Sequence, residues 1–336
     1  RLAGPESRRF GVETNKTARS NARRVRAQRE RLTVAAVVQM PLHGFGDSGV
    51  TGAMIERNAE RTARTVEKLT TAAGVVPQLI VLPVLCLTGI GAVLQELGIT
   101  PRIDREAIAL NLLAHDPRLA PLQQLCATRG CYIASSCVEK ISAFPGRYFH
   151  TGFVLGPSGL ILRSPKTQAP TSAGITLLKD FHKEYTNHFG SDAILPMADT
   201  PLGKVGCLVE TEFLIPEAAR TLRRKGAEII LHPTAQHAGP AYPPYQAIRQ
   251  SLAYTNGVYW LSAVPSRESA MVNGKVHRTC FGGGSSIVGP DGAVISCIKG
   301  RNQGLATGTI DLDFLTSCRE RQRRYTEPDP GIYENK

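Results

Sequence analysis

Eight cysteines and eight histidines are the side chains of this 336-residue chain best suited to covalent or metal chemistry. Their spacing restricts what they can do. Cys86, Cys126, Cys131, Cys137, Cys207, Cys280, Cys297 and Cys318 form no C-x-x-C pair. Most fall in apolar, strand-like runs, where cysteine behaves as a small hydrophobe. They read as reduced structural thiols rather than a disulfide framework or zinc site, which suits a reducing intracellular compartment. His182 and His188 flank Glu184, but the spacing is not a metal-ligand pattern, so no metal and no cofactor is expected. The run Phe281-Gly282-Gly283-Gly284-Ser285-Ser286 has the glycines of a phosphate loop. It lacks the lysine and precedes a strand, so it reads as a strand entry. His232-Pro233-Thr234 reads as the end of a strand.

Six segments carry a sharper signal in combination. They are Thr33–Met40, Gln78–Gly89, Gly159–Lys166, Gly206–Arg220, Gly226–Thr234 and Phe281–Gly292. In this order they resemble the landmarks of the nitrilase, or carbon–nitrogen hydrolase, superfamily, from about Leu32 to Leu315. In Gly206-Cys207-Leu208-Val209-Glu210 followed by Pro216-Glu217-Ala218-Ala219-Arg220, the resemblance implies a catalytic cysteine at position 210, where this chain has Glu210. It implies a catalytic glutamate directly after Pro83, where the chain has Val84. The third family position, Lys166, is kept, and Glu184 falls where many members keep a second glutamate.

The implied reaction needs a thiolate to attack an amide or nitrile carbon, a carboxylate to take the thiol proton, and a lysine to hold the oxyanion. Glu210 is a weak, solvated nucleophile, and Val84 accepts no proton. The expectation is therefore a chemically idle ion-pair cluster in which Glu210, with Glu184, neutralises Lys166. Cys207 precedes the slot by three residues and is expected to point into a packed layer. Cys86, two residues beyond Val84, is the one thiol placed to act as a rescue nucleophile.

The elements that must position these residues follow from periodicity. Apolar β-type runs occupy 33–40, 78–83, 131–136, 150–156, 159–163, 204–209, 228–232, 257–264, 283–288, 293–297 and 305–311. Amphipathic helical stretches lie near 53–73, 105–114, 119–129, 215–225 and 244–255. Strands dominating the core argue for α/β sheets covered by helices. The resemblance implies a nitrilase-type four-layer αββα sandwich and a homo- or hetero-dimer through the family interface. No apolar run reaches membrane-spanning length, so no membrane partner is expected.

Charge sets the ends apart. Residues 1–32 carry ten basic and three acidic residues, +7 of the chain's +12. Their apolar content is too low for a packed core, and the Arg, Ser and Ala richness is that of organelle-targeting peptides. A mitochondrial matrix location is favoured, with cytoplasm the alternative. The division expected is a basic extension over 1–32, a carbon–nitrogen hydrolase-like domain over 33–316 and a basic, proline-containing tail over 317–336. Arg19, Arg23, Arg24, Arg26, Arg29 and Arg31, with Arg319, Arg321, Arg323 and Arg324, are the expected partner-binding residues. They would meet an acidic protein surface or RNA phosphates in a larger assembly such as an organellar ribonucleoprotein. The alternatives are a hydrolase with altered machinery, using Cys86 or a water held by Glu210 and Glu184, and a small-molecule-binding regulatory pseudoenzyme paired with an active paralogue.

Overall fold

The structure is a computed structural model that describes residues 32–44, 46, 49, 51–92, 97–98, 104–168, 175–237 and 244–326, with side chains omitted at 324–326. The basic segment 1–31, with Arg19 through Arg31, lies outside the described residues.

Two six-stranded sheets stack face to face. In the first, the spatial order is Gly304–Asp311 (β15), Leu32–Gln39 (β1), Leu79–Val81 (β3), Tyr132–Lys140 (β4), Tyr148–Gly156 (β5) and Gly159–Pro165 (β6). In the second it is Val294–Cys297 (β14), Ser286–Val288 (β13), Tyr259–Ala263 (β10), Ile229–Pro233 (β9), Gly203–Cys207 (β8) and Met197–Thr200 (β7). The central pairs β1–β3, β3–β4, β8–β9 and β9–β10 are parallel, and the outer pairs are antiparallel. Parallel strands covered on both faces read as continuous apolar runs, which is why the sequence marks them so clearly.

Alternation along the strands divides the core. Ala35 and Val37 join Val81, Val84, Cys207, Leu231 and Leu261 in the layer between the sheets. Ala36 and Val38 face the other way, with Ile80 and Ile133, against helices Gly52–Ala73 (α1) and Ala120–Arg129 (α2). On the far side, Ile230 and Trp260 pack with Ala219, Leu222 and Ala253 of helices Pro216–Arg224 and Tyr245–Asn256. The result is the expected four-layer αββα sandwich. Helix α1 begins where Thr51 accepts from the Met54 amide and ends at Gly74, whose φ of 64° suits a residue without a Cβ.

All eleven expected strand regions contain strands. Several elements depart from the expected pattern. Arg267–Val272 (β11) and Lys275–Cys280 (β12) form a small sheet with Leu42–His43 (β2), and their exposed polar residues hide the strand pattern. Helix Leu178–Phe189 buries only Leu178, Phe181 and Tyr185 and has a non-helical Phe181. The expected helix over 105–114 is cut to one turn, Arg105–Ile108, and a 3-10 turn, Leu112–Ala114, because Leu110 bridges to Glu139 of β4. Helix Leu312–Thr326 runs past the expected domain end at 316 and buries Leu315, Cys318 and Gln322, so the start of the supposed tail belongs to the folded body. Among the described residues, no helix is long and apolar enough to cross a membrane.

Candidate functional site

Lys166 follows the last residue of β6, and its backbone N–H is anchored to the His150 carbonyl on β5 at 2.7 Å. Its ammonium is buried and donates to Glu210 Oε2 at 2.7 Å. Glu210 lies at the corner where β8 has ended and helix Pro216–Arg224 is about to begin. Its φ of 52° is left-handed, a conformation that costs a non-glycine residue about 1–2 kcal/mol. That corner is held from outside: His232 Nε2 donates to the Glu210 carbonyl at 2.8 Å. Trp260 Nε1 can only donate, and it reaches Ser262 Oγ at 3.1 Å and His232 Nδ1 at 3.3 Å. His232 Nδ1 is therefore an acceptor and Nε2 carries the proton. Burial first, then the nearby Arg249 charge, lowers the His232 pKa to about 3, so the ring is neutral.

A second histidine faces the pair. His150 Nδ1 lies 3.8 Å from Glu210 Oε2, and its Nε2 is 2.9 Å from Ser136 Oγ. Ser136 in turn accepts the Leu85 amide at 3.1 Å. Burial lowers the His150 pKa to about 4, with Lys166 adding to the fall and Glu210 opposing it. Burial alone would raise the Glu210 carboxyl. The Lys166 ammonium, the His150 ring and the Lys166 hydrogen bond outweigh it and hold the carboxyl below its ordinary range. Glu210 is an ionised carboxylate that already has a cation bound. Val84, one residue before Leu85, is fully buried in the apolar layer between the sheets.

The second carboxylate of the cluster is not Glu184. Glu184 is exposed on helix Leu178–Phe189, because that helix turns Leu178, Phe181 and Tyr185 inward instead. Glu212 takes the buried position. Its Oε1 accepts from the Thr167 amide at 2.7 Å and the Thr167 hydroxyl at 2.6 Å, and its Oε2 accepts from the Val209 amide at 2.9 Å. Burial pushes its carboxyl up, with the hydrogen bonds from Thr167 and Val209 opposing. Glu212 thus ties the residue after Lys166 to the residue before Glu210. No local pattern announces this, since Thr167 and Glu212 are 45 residues apart.

The candidate thiols lie elsewhere. Cys86 packs on the helix-covered side with Ile55, Ala59 and Cys137, and its thiol is 3.3 Å from Ser135 Oγ. Burial raises its pKa to about 11, opposite to what a nucleophile needs. Cys207 is buried between the sheets, as strand alternation requires, and burial pushes its thiol up. All eight cysteines are free thiols. His182 is exposed, and His188 packs edge-on against Phe144 and Phe189. Among the described residues no three His, Cys, Asp or Glu side chains gather as metal ligands.

The C-terminal arginines do not share one environment. Arg319 is half-buried and closes an intramolecular joint, donating to the Gly257 carbonyl at 2.8 Å and to the Ala227 carbonyl. Arg321 and Arg323 are exposed, and the Arg324 side chain lies outside the described residues.

A family model described as carbon-nitrogen hydrolase matches residues 34–320. Nitrilase 3 of Arabidopsis thaliana is 26% identical over 229 residues, covering 63% of this chain and 62% of the relative. The deaminated glutathione amidase of Rattus norvegicus is 31% identical over 145 residues, covering 42% of this chain and 41% of the relative. The chain thus spans less than two thirds of these relatives' length. Among solved structures, a carbon-nitrogen hydrolase from Helicobacter pylori superposes with a TM-score of 0.65 at 18% identity, covering 90% of this chain and 97% of that one. Saccharomyces cerevisiae Nit3, a member of branch 10 of the nitrilase superfamily, gives 0.63 at 19% identity, covering 89% and 98%. An amidase from Nesterenkonia sp. AN1, whose structure carries acrylamide added at an active site cysteine, gives 0.58 at 18% identity, covering 87% and 98%. The matched family, the paired sheets between helix layers and the Lys166 corner agree: this chain belongs to the carbon-nitrogen hydrolase family.

Proposed function

We propose that the protein is a catalytically idle member of this family that serves as a structural or assembly subunit of a larger complex. One observation carries the reading: Lys166 Nζ is 2.7 Å from Glu210 Oε2, so the group that would stabilise an oxyanion is already neutralised by the residue in the nucleophile's place. Val84 adds an apolar wall where the family's proton acceptor would stand. Neither Cys86 nor Cys207 offers a lowered thiol pKa to take over. The assembly role draws its support from the basic ends of the chain, whose charge suits RNA phosphates or an acidic protein surface. Their Arg, Ser and Ala content favours a mitochondrial setting.

Two measurements test this. Ammonia release from small amides, N-carbamoyl compounds and nitriles should be indistinguishable between the protein and its Lys166→Ala variant. Turnover that disappears in Lys166→Ala would establish the competing reading, a working hydrolase, which the relatives' activities favour. Sedimentation from source lysate with and without ribonuclease then tests assembly. Fast sedimentation that collapses with ribonuclease supports an RNA-containing complex, and fast sedimentation that resists it supports a protein-only one. A peak at monomer or dimer size overturns the assembly role.

A further inference from the structure

We propose that Arg249, Gln236 and Gln246 form a buried receptor for a small carboxylate anion, next to the Lys166–Glu210 pair and distinct from it. Arg249 projects from helix Tyr245–Asn256 and is 1% exposed. Its partners are all neutral. Nη1 donates to the Gly284 carbonyl at 2.8 Å, to Ser286 Oγ at 3.3 Å and to Gln246 Oε1 at 3.3 Å, and Nη2 donates to Gln236 Oε1. Among the described residues no Asp or Glu pairs with it. Burial pushes its pKa down to about 9, still high enough to keep the guanidinium charged at neutral pH. A buried charge without a counter-charge is strongly disfavoured, so the site calls for an anion.

The surroundings say which kind. Both glutamines turn their carbonyl oxygens to Arg249, which leaves donors without acceptors. Arg249 Nε, Gln236 Nε2 and Gln246 Nε2 are all buried and unpartnered among the described residues. Thr234 Oγ1, two residues before Gln236, is in the same state. The guanidinium's own Nε–H and the two glutamine amides are N–H donors of the kind the two oxygens of a carboxylate accept. A Cβ built on Gly284, the residue whose carbonyl Arg249 holds, would meet no atom within 4 Å. The receptor also borders the Glu210 corner, since the charge of Arg249 acts on His232, whose Nε2 holds the Glu210 carbonyl.

The test is thermal unfolding of the full chain in sodium formate and sodium acetate, against sodium chloride at equal ionic strength. A saturable rise in melting temperature with the carboxylates is expected, and it should vanish in Arg249→Met. Gln246→Leu keeps the charge but removes one donor, and it should weaken the apparent affinity at least tenfold. This second variant serves if Arg249→Met does not fold. Equal shifts in formate and chloride would overturn the proposal, as would an unchanged carboxylate response in the variants. A crystal grown in formate with only water beside Arg249 would do the same. None of these readouts involves turnover, so detectable amide hydrolysis would sink the idle-site reading and leave this one standing.

Discussion

The contact between Lys166 and Glu210 is a salt bridge at the corner that follows β8, and its energetics can be measured. Lys166 is nearly inaccessible, while the Glu210 side chain keeps 25% of its exposure. Breaking a buried pair by removing one partner costs about 3–5 kcal/mol, and partial exposure brings the expectation for Glu210→Gln to about 2 kcal/mol in urea unfolding at neutral pH. The double variant Lys166→Met with Glu210→Gln should recover most of that loss, because it leaves no unpaired charge. The Glu210 carboxyl is depressed in the folded state, so its contribution is full above the ordinary glutamate pKa. The wild-type advantage over Glu210→Gln should therefore fade as pH drops through the folded value. A gap that persists unchanged into strong acid would mean that the residue acts by packing instead of charge. The sequence made Lys166 and Glu210 legible because each sits at the end of a strand with recognisable neighbours. It did not single out Glu212, because nothing next to Glu212 reveals that Thr167 is its partner.

Among the elements, helix Leu312–Thr326 best separates charge from structure. Its basic residues look alike in one dimension, yet Arg319 faces inward and holds two carbonyls at the ends of other elements, while Arg321 is exposed. Arg319→Ala should cost about 1–3 kcal/mol by leaving those carbonyls short of a donor, and Arg321→Ala should stay within about 0.5 kcal/mol. Thermal unfolding of the two variants decides it, and equal effects would reject the joint. A similar division affects Glu268 on β11. Its carboxylate accepts the amides of Ile90, Gly91 and Ala92 at 2.7, 3.0 and 2.6 Å and pins the end of the loop that follows β3 and contains Val84. Strands buried on both faces were legible from their runs of Val, Ile, Leu and Ala. The β11–β12 hairpin was not, because half its residues face water and its pattern is set by its partner strand.

Across the whole molecule, three histidines couple folding to acid. His43, His150 and His232 have pKa values lowered to about 4, 4 and 3, in each case chiefly by burial. A folded-state pKa below the unfolded value of about 6.5 means that the unfolded chain takes up protons the native state refuses. Stability should hold above pH 7 and fall as pH drops from about 6 toward 4, at up to about 4 kcal/mol per pH unit. The raised carboxyl of Glu212 works the other way and offsets part of the loss. Urea midpoints across this range test it. His43→Gln should flatten the slope by about a third, and an unchanged slope would exclude burial of His43 as a cause. The sequence by itself determined the layered α/β architecture and the identities at positions 84, 166 and 210. Those follow from apolar periodicity and from short segments whose order is fixed along the chain. Only the tertiary structure decided what surrounds them: Glu212 in place of Glu184, two neutral histidines, Cys86 turned to the helix side, and Arg249 buried with no carboxylate beside it among the described residues. Each depends on which strand lies beside which and on how much water is excluded there, and neither quantity is a property of neighbouring residues in the chain.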